Sequence, residues 1–149
     1  MSYSAYQSTV PAFIAMLRNM SAWLDKAAAQ KDEAQLIEAR LAPDMFPLSR
    51  QIQIASDAAK GAAARLTGTE APAMADTESS FAELKERCAK TIAYLESVDP
   101  AAYDAGLDRE VVITFPNGAG LRFDGATFLN GFAVPTFYFH ASATYALLR

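Results

Sequence analysis

Apolar residues recur at steps of three and four from the start of the chain. Tyr3, Tyr6, Val10, Phe13, Leu17, Met20 and Leu24 line one face, Met16 and Trp23 widen it, and Ser4, Gln7, Ser8, Asn19, Asp25 and Lys26 take the other faces. This spacing predicts an amphipathic helix over about Ser4–Gln30. Pro11 falls inside it and predicts either a first-turn start near Thr9 or a kink. Lys31–Arg40 is charged and short, and reads as a linker with one loose helical turn around Leu36 and Ile37. A second helix is expected from Asp44, as N-cap, with Pro47 in its first turn, to about Leu66. Its inner face is Leu48, Ile52, Ala55, Ala59, Ala62 and Leu66, rich enough in alanine for close approach, and Gly68 suits a left-handed C-terminal residue.

A loop over Glu70–Thr77 leads to a third helix, about Glu78–Ser97, capped by Asp76 or Thr77. Its stripe is Phe81, Leu84, Cys88, Ile92 and Leu95, and Asp99-Pro100 ends it. The period then changes. Glu110–Phe115 is β-branched, Pro116-Asn-Gly-Ala-Gly120 is turn chemistry, and Leu121–Asp124 returns, which predicts a β-hairpin. Gly125–Leu148 holds no Asp, Glu, Lys or Arg. Asn130, Gly131, Pro135, Thr136, His140, Ser142 and Thr144 interrupt it, so it falls short of the ~18 apolar residues of a membrane span. The expected element is a buried last helix, kinked or restarted at Pro135. The whole is a mainly α, up-down four-helix bundle with a short hairpin before the last helix, one domain over 1–149.

Composition narrows the function classes. The chain is 52% hydrophobic with a net charge of −4, which excludes a disordered chain and disfavours a nucleic-acid partner. His140 is the sole histidine and Cys88 the sole cysteine, so neither a disulfide framework nor a His-His metal motif can form. No basic residue precedes Arg18 and no apolar run follows Met1, which reads as a cytoplasmic N-terminus. The uncharged last segment, with Met16, Met20 and Trp23 on the first helix, offers more apolar surface than one bundle covers, and a homodimer through the first and last helices is expected.

Two motifs carry a resemblance. Leu41-Ala-Pro-Asp-Met-Phe-Pro-Leu48 with Gln51, and Pro135-Thr-Phe-Tyr-Phe-His140 with Tyr145-Ala-Leu-Leu-Arg149, resemble the signatures of an uncharacterised bacterial domain-of-unknown-function family. That family is similar to the DinB/YfiT-like four-helix bundles, a group of proposed metalloenzymes. Relatives carry Asn where Thr136 stands and continue past Arg149 with a short tail. The resemblance implies the bundle fold. It also implies, for the wider superfamily, a divalent metal such as Zn or Ni held by three histidines, and hydrolase or thiol-group transferase chemistry.

The residues themselves favour a different function. Thr136, Phe137, Ala143 and Thr144 lie one turn from His140, and none is a strong ligand. A metal would need His140 with the carboxylates Asp44 and Asp57. The preferred expectation is no tightly bound metal and a polar pocket for an unknown small molecule, lined by His140, Asp44, Gln51, Tyr138 and Tyr145. Cys88 on an apolar stripe reads as an inert thiol, and Asp57 as a solvated carboxylate.

Overall fold

The computed structural model describes residues 3–149. Four long helices pack around one core: α1 (Ala5–Ala28), α3 (Leu48–Thr67), α4 (Phe81–Glu96) and α7 (Val134–Leu148), with the short α2 (Glu33–Ile37) after α1. α5 (Pro100–Ala105) precedes a hairpin, β1 (Glu110–Thr114) and β2 (Gly120–Asp124), and α6 (Gly125–Phe128) follows it. The bundle with a hairpin before the last helix is the fold read from the pattern. Among the described residues no helix is long and apolar enough to cross a membrane.

The helix starts differ in detail from the sequence reading. α1 begins at Ala5, where Ser4 accepts the Gln7 N–H, and runs through Pro11 in its second turn. Pro11 and Gln7 both face solvent, so the carbonyl that loses its donor is open to water. Asp44 is not the N-cap of α3. It lies exposed in a turn, and the helix starts at Leu48 after Pro47, whose extended backbone makes the entry. α4 is capped by Ser80 rather than by Asp76 or Thr77, because Glu83 completes a capping box with it. α4 closes at Glu96 with Ser97 as its C-cap, and Asp99, expected to end it, instead caps α5 with Pro100 in the first turn. The last segment is α6, a π-helical turn over Leu129–Ala133 and then α7, so the restart at Pro135 takes the form of a wider turn just before it.

Side-chain pairs fix the directions. Phe13 meets Phe137 at 4.5 Å and Trp23 meets Tyr145 at 5.0 Å, so α1 and α7 run parallel. Arg18 with Glu96, and Asp25 with Lys85, set α4 antiparallel to α1. Gln51 opposite His140, and Arg65 over Phe128, set α7 antiparallel to α3. α3 and α4 therefore point the same way, and the bundle runs up, down, down and up rather than in the alternating up-down order expected from the sequence, because the chain after α3 returns along that helix before α4 begins. α1, α3 and α7 are buried along Phe13, Leu17, Met20, Ile52, Ala55, Ala59 and Phe137, while Ile92 of α4 is only half-buried, at the margin of the core.

Parallel α3 and α4 require a return strap. Gly68, with φ +69°, closes α3, and residues 69–80 travel back along the helix to the start of α4. One buried cation holds the strap. The Arg87 side chain is 1% exposed and bonds Asp57 at 2.7 Å, Glu78 at 2.9 Å and Asp76 at 3.0 Å. Its Nε donates to Ser56 Oγ at 3.1 Å and Nη1 to the Ala75 carbonyl at 3.3 Å. Burial opposes the charge, but the hydrogen bond to Glu78 and the fields of Asp57, Glu78 and Asp76 outweigh it and raise the Arg87 pKa. Arg50 and Lys60 bring further positive charge to Asp76 and Asp57.

Removing one member of such a buried network leaves the others uncompensated. Arg87→Met is expected to cost about 3 kcal/mol, less than a wholly buried pair because Asp57 and Asp76 keep about 40% exposure and water can reach them. Urea unfolding measures it, and a loss of a few tenths of a kcal/mol would show that the strap does not depend on this residue.

Candidate functional site

α3 and α7 share a long seam, and the chain's sole histidine lies on it. His140 is half-buried on α7, and its Nδ1 lies 2.6 Å from Gln51 Oε1 on α3. Gln51 is 1% exposed, and its Nε2 donates to the Phe46 carbonyl at 3.0 Å. That second bond orients the amide: the atom facing His140 is the oxygen, an acceptor only. Nδ1 must then carry the proton, and Nε2 is left as a lone-pair nitrogen. Burial, with the positive Arg50 nearby, lowers the His140 pKa from its ordinary value, so the ring is neutral at pH 7.

The seam opens into a cavity toward the hairpin. Thr136 lies one turn before His140, and Ile54 and Ala58 lie one and two turns beyond Gln51, so the same helix faces continue. A cavity of about 210 Å³ is lined there by Ile54, Ala58, Ile113, Phe128, Phe132 and Thr136, with Asp57 and Arg65 also on its wall. Arg65 stands 5.8 Å over the Phe128 ring, and partial burial lowers its pKa. The π-helical turn contributes Phe132 and Ala133 to this wall.

Residues 5–149 match a family described as "Domain of unknown function (DUF1993)". The chain belongs to this family. It is also similar to a solved structure, that of a DinB family member protein from Shewanella denitrificans, with 39% sequence identity and a TM-score of 0.86 over 97% of this chain and 84% of that one. No curated protein matches the chain. DUF1993 membership and the DinB-like likeness agree with the resemblance read from the two motifs.

The DUF1993 structure brings together only part of the site read from the sequence. His140 and Gln51 meet. Asp44 does not join them, lying exposed in the turn before α3. The Tyr138 and Tyr145 hydroxyls, expected near His140, are instead on the outer side of α7, where the residues are 37% and 41% exposed. Tyr145 accepts from Arg149 at 2.8 Å and packs on Trp23. Asp57 is not simply solvated, since Arg87 and Lys60 both bind it. Cys88 is fully buried, and burial pushes its thiol up to about 11.

These side chains do not fit the three-histidine metal centre that the resemblance implies. One turn from His140, Thr144 donates to the histidine's own carbonyl at 2.9 Å, and Asp57 is held by two cations. Among the described residues no group of three or more His, Cys, Asp or Glu side chains is placed to hold a metal ion. Sequence reasoning missed Arg87, Lys60 and Glu78. The available signal was position: Arg87 and Thr91 fall three and seven residues after Leu84, on the buried stripe itself.

The His140 shift carries a pH signature. A histidine kept neutral in the folded state binds its proton more readily when unfolded, so stability is full above the ordinary value near 6.5 and falls as pH drops below it. The fall levels off once pH passes the lowered folded-state value. His140→Phe is expected to remove that part of the slope in urea midpoints measured between pH 7 and pH 5. An unchanged slope would show that His140 is not the group responsible.

Proposed function

We propose that this domain binds a small ligand in the seam between α3 and α7, with His140 as its polar anchor. The observation that carries the reading is the pinned tautomer: Nδ1–H donates to Gln51 Oε1, and Nε2 remains a neutral acceptor. Such a nitrogen pairs with a ligand N–H or O–H. The neighbouring cavity, of about 210 Å³ and mostly apolar, suits a short hydrocarbon body attached to that donor. Most of a binding energy would come from the apolar part, and the single hydrogen bond would set orientation.

The alternative, a DinB-like hydrolase or thiol-group transferase dependent on Zn or Ni, draws its support from fold likeness alone. The donor set argues against it, because one imidazole with two hydroxyl-bearing neighbours is not the ligand set of a catalytic divalent site. We also propose that two copies pair through the outer side of α7. Tyr138 and Phe139 are 37% and 57% exposed there, on a segment without charge, so a two-fold contact would bring no like charges together. Trp23 and Met20 contribute less to this face than their sequence positions suggest, since Met20 is buried and Trp23 packs on Tyr145.

Saturation-transfer NMR against a panel of short alcohols and primary amides tests the first reading. Binding to the wild type that is lost in His140→Phe is expected, and binding indifferent to that substitution would refute the anchor. Elemental analysis of protein purified without a tag is expected to find far less than one metal per chain. Stoichiometric Zn or Ni that disappears in His140→Ala would move the conclusion to the enzyme. Sedimentation at micromolar concentration is expected to give a dimer that Phe139→Glu dissociates; a 16.1 kDa monomer would end the pairing proposal.

A further inference from the structure

α3 carries a glycine in its interior, where alanine would make a more stable helix. Gly61 is buried, and a Cβ placed there would collide with one group, the Arg65 guanidinium of the next turn. Helical side chains lean toward the N-terminus of their helix, so Arg65 folds back across Gly61. It thereby reaches the wall of the cavity of about 210 Å³ and stands 5.8 Å over the Phe128 ring. The absent Cβ at Gly61 is the space that the guanidinium occupies.

The charge of Arg65 is unanswered. Asp57 lies on the same wall, but it belongs to a closed set in which Arg50, Lys60 and Arg87 meet Asp57, Asp76 and Glu78, three cations against three carboxylates. Among the described residues no carboxylate stands within 4.0 Å of the Arg65 guanidinium. Partial burial opposes its charge and lowers its pKa, as expected of a cation short of both water and a partner. The residue keeps an exposed side, so this cation sits where an otherwise apolar cavity meets solvent.

We propose that the ligand of the α3–α7 seam is an aliphatic carboxylic acid, bound as its anion with the carboxylate on Arg65 and the chain along Ile54, Ala58, Ile113 and Phe132. Gly61 is then a positioning residue, which lets Arg65 reach the carboxylate. The inference rests on the seam reading in placing a hydrocarbon chain in this cavity; the bond to His140 is a separate contact. A planar guanidinium matches a carboxylate with two parallel hydrogen bonds and one balancing charge. A phosphate ester would bring a second negative charge that has no cation to meet it. A neutral chain would leave Arg65 unanswered, and a small inorganic anion would leave the apolar wall uncovered.

Methyl NMR of Ile54 and Ile113 reads this cavity directly while the full chain is titrated with hexanoate or hexanol. Hexanoate is expected to move both signals saturably and to bind about tenfold more tightly than hexanol. Arg65→Gln, at an exposed position, is expected to remove that advantage and leave hexanol affinity unchanged. Gly61→Ala is expected to weaken hexanoate about tenfold while the urea midpoint stays at or above that of the wild type, a combination that a purely structural glycine would not give. His140→Phe is expected to leave hexanoate affinity unchanged, because hexanoate has no donor to offer the ring. Hexanoate binding no tighter than hexanol, or indifferent to Arg65→Gln, would overturn the acid; hexanol binding that still depends on His140 would then leave the seam reading standing. Hexanoate affinity untouched by Gly61→Ala would remove the positioning role. Hexanoate bound through Arg65, beside hexanol binding indifferent to His140→Phe, would uphold the acid and end the histidine anchor instead. No shift with either compound would refute both.

Discussion

A guanidinium enclosed between α3, α4 and the strap is the constraint on which the rest of the bundle depends. Because α3 and α4 run in the same direction, the chain must travel the length of α3 again before α4 can start. Irregular backbone laid over a helix pair cannot satisfy its own polar groups, and such segments normally stay loose at the surface. Here Asp76, Glu78 and the Ala75 carbonyl all turn toward Arg87. The strap thereby trades water for a charged partner, and Asp57 ties the same cation to α3. With α3 held in that place, Gln51 faces α7 and the histidine finds its acceptor.

Much of the fold was legible from the apolar period. The α1 stripe from Val10 to Leu24 and the alanine-rich face of α3 are buried as read, and Gly68 takes the left-handed C-terminal conformation expected of it. Helix starts were less legible, because several residues at each start have capping chemistry and tertiary packing chooses among them. Asp44 had the right side chain for a cap, but Pro43 and Pro47 hold the chain in a turn and the helix begins later. Direction was not legible at all. Nothing in a periodic stripe says whether the next helix returns or repeats, and here the answer depends on ion pairs between residues distant in sequence.

The candidate site shows the same division. His140 and Gln51 stood out in the sequence as a lone imidazole and an amide beside a core stripe, and they meet at 2.6 Å. Tyr138 and Tyr145 are close to His140 in sequence but lie about a helix face away from it in space. Proximity along a helix counts only at spacings of three and four, and neither tyrosine has that relation to position 140. Arg87 escaped notice for the opposite reason. A charged residue on an inward stripe reads as a break in the pattern unless its partners are known, and those partners lie in the strap and on α3.

The π-helical turn at Leu129–Ala133 has a consequence for the timing of side chains around the last helix. Successive residues of an α-helix advance by about 100°, so one extra residue in a single turn rotates everything after it by about that angle relative to everything before. Phe128 and Phe132 face the hairpin and the cavity floor, while Phe137 and Ala141 face the core and His140 faces Gln51. A uniform α-helix could not hold all of these contacts in phase. The wide turn therefore acts as a phase corrector between the half of the helix that closes the hairpin end and the half that presents the imidazole.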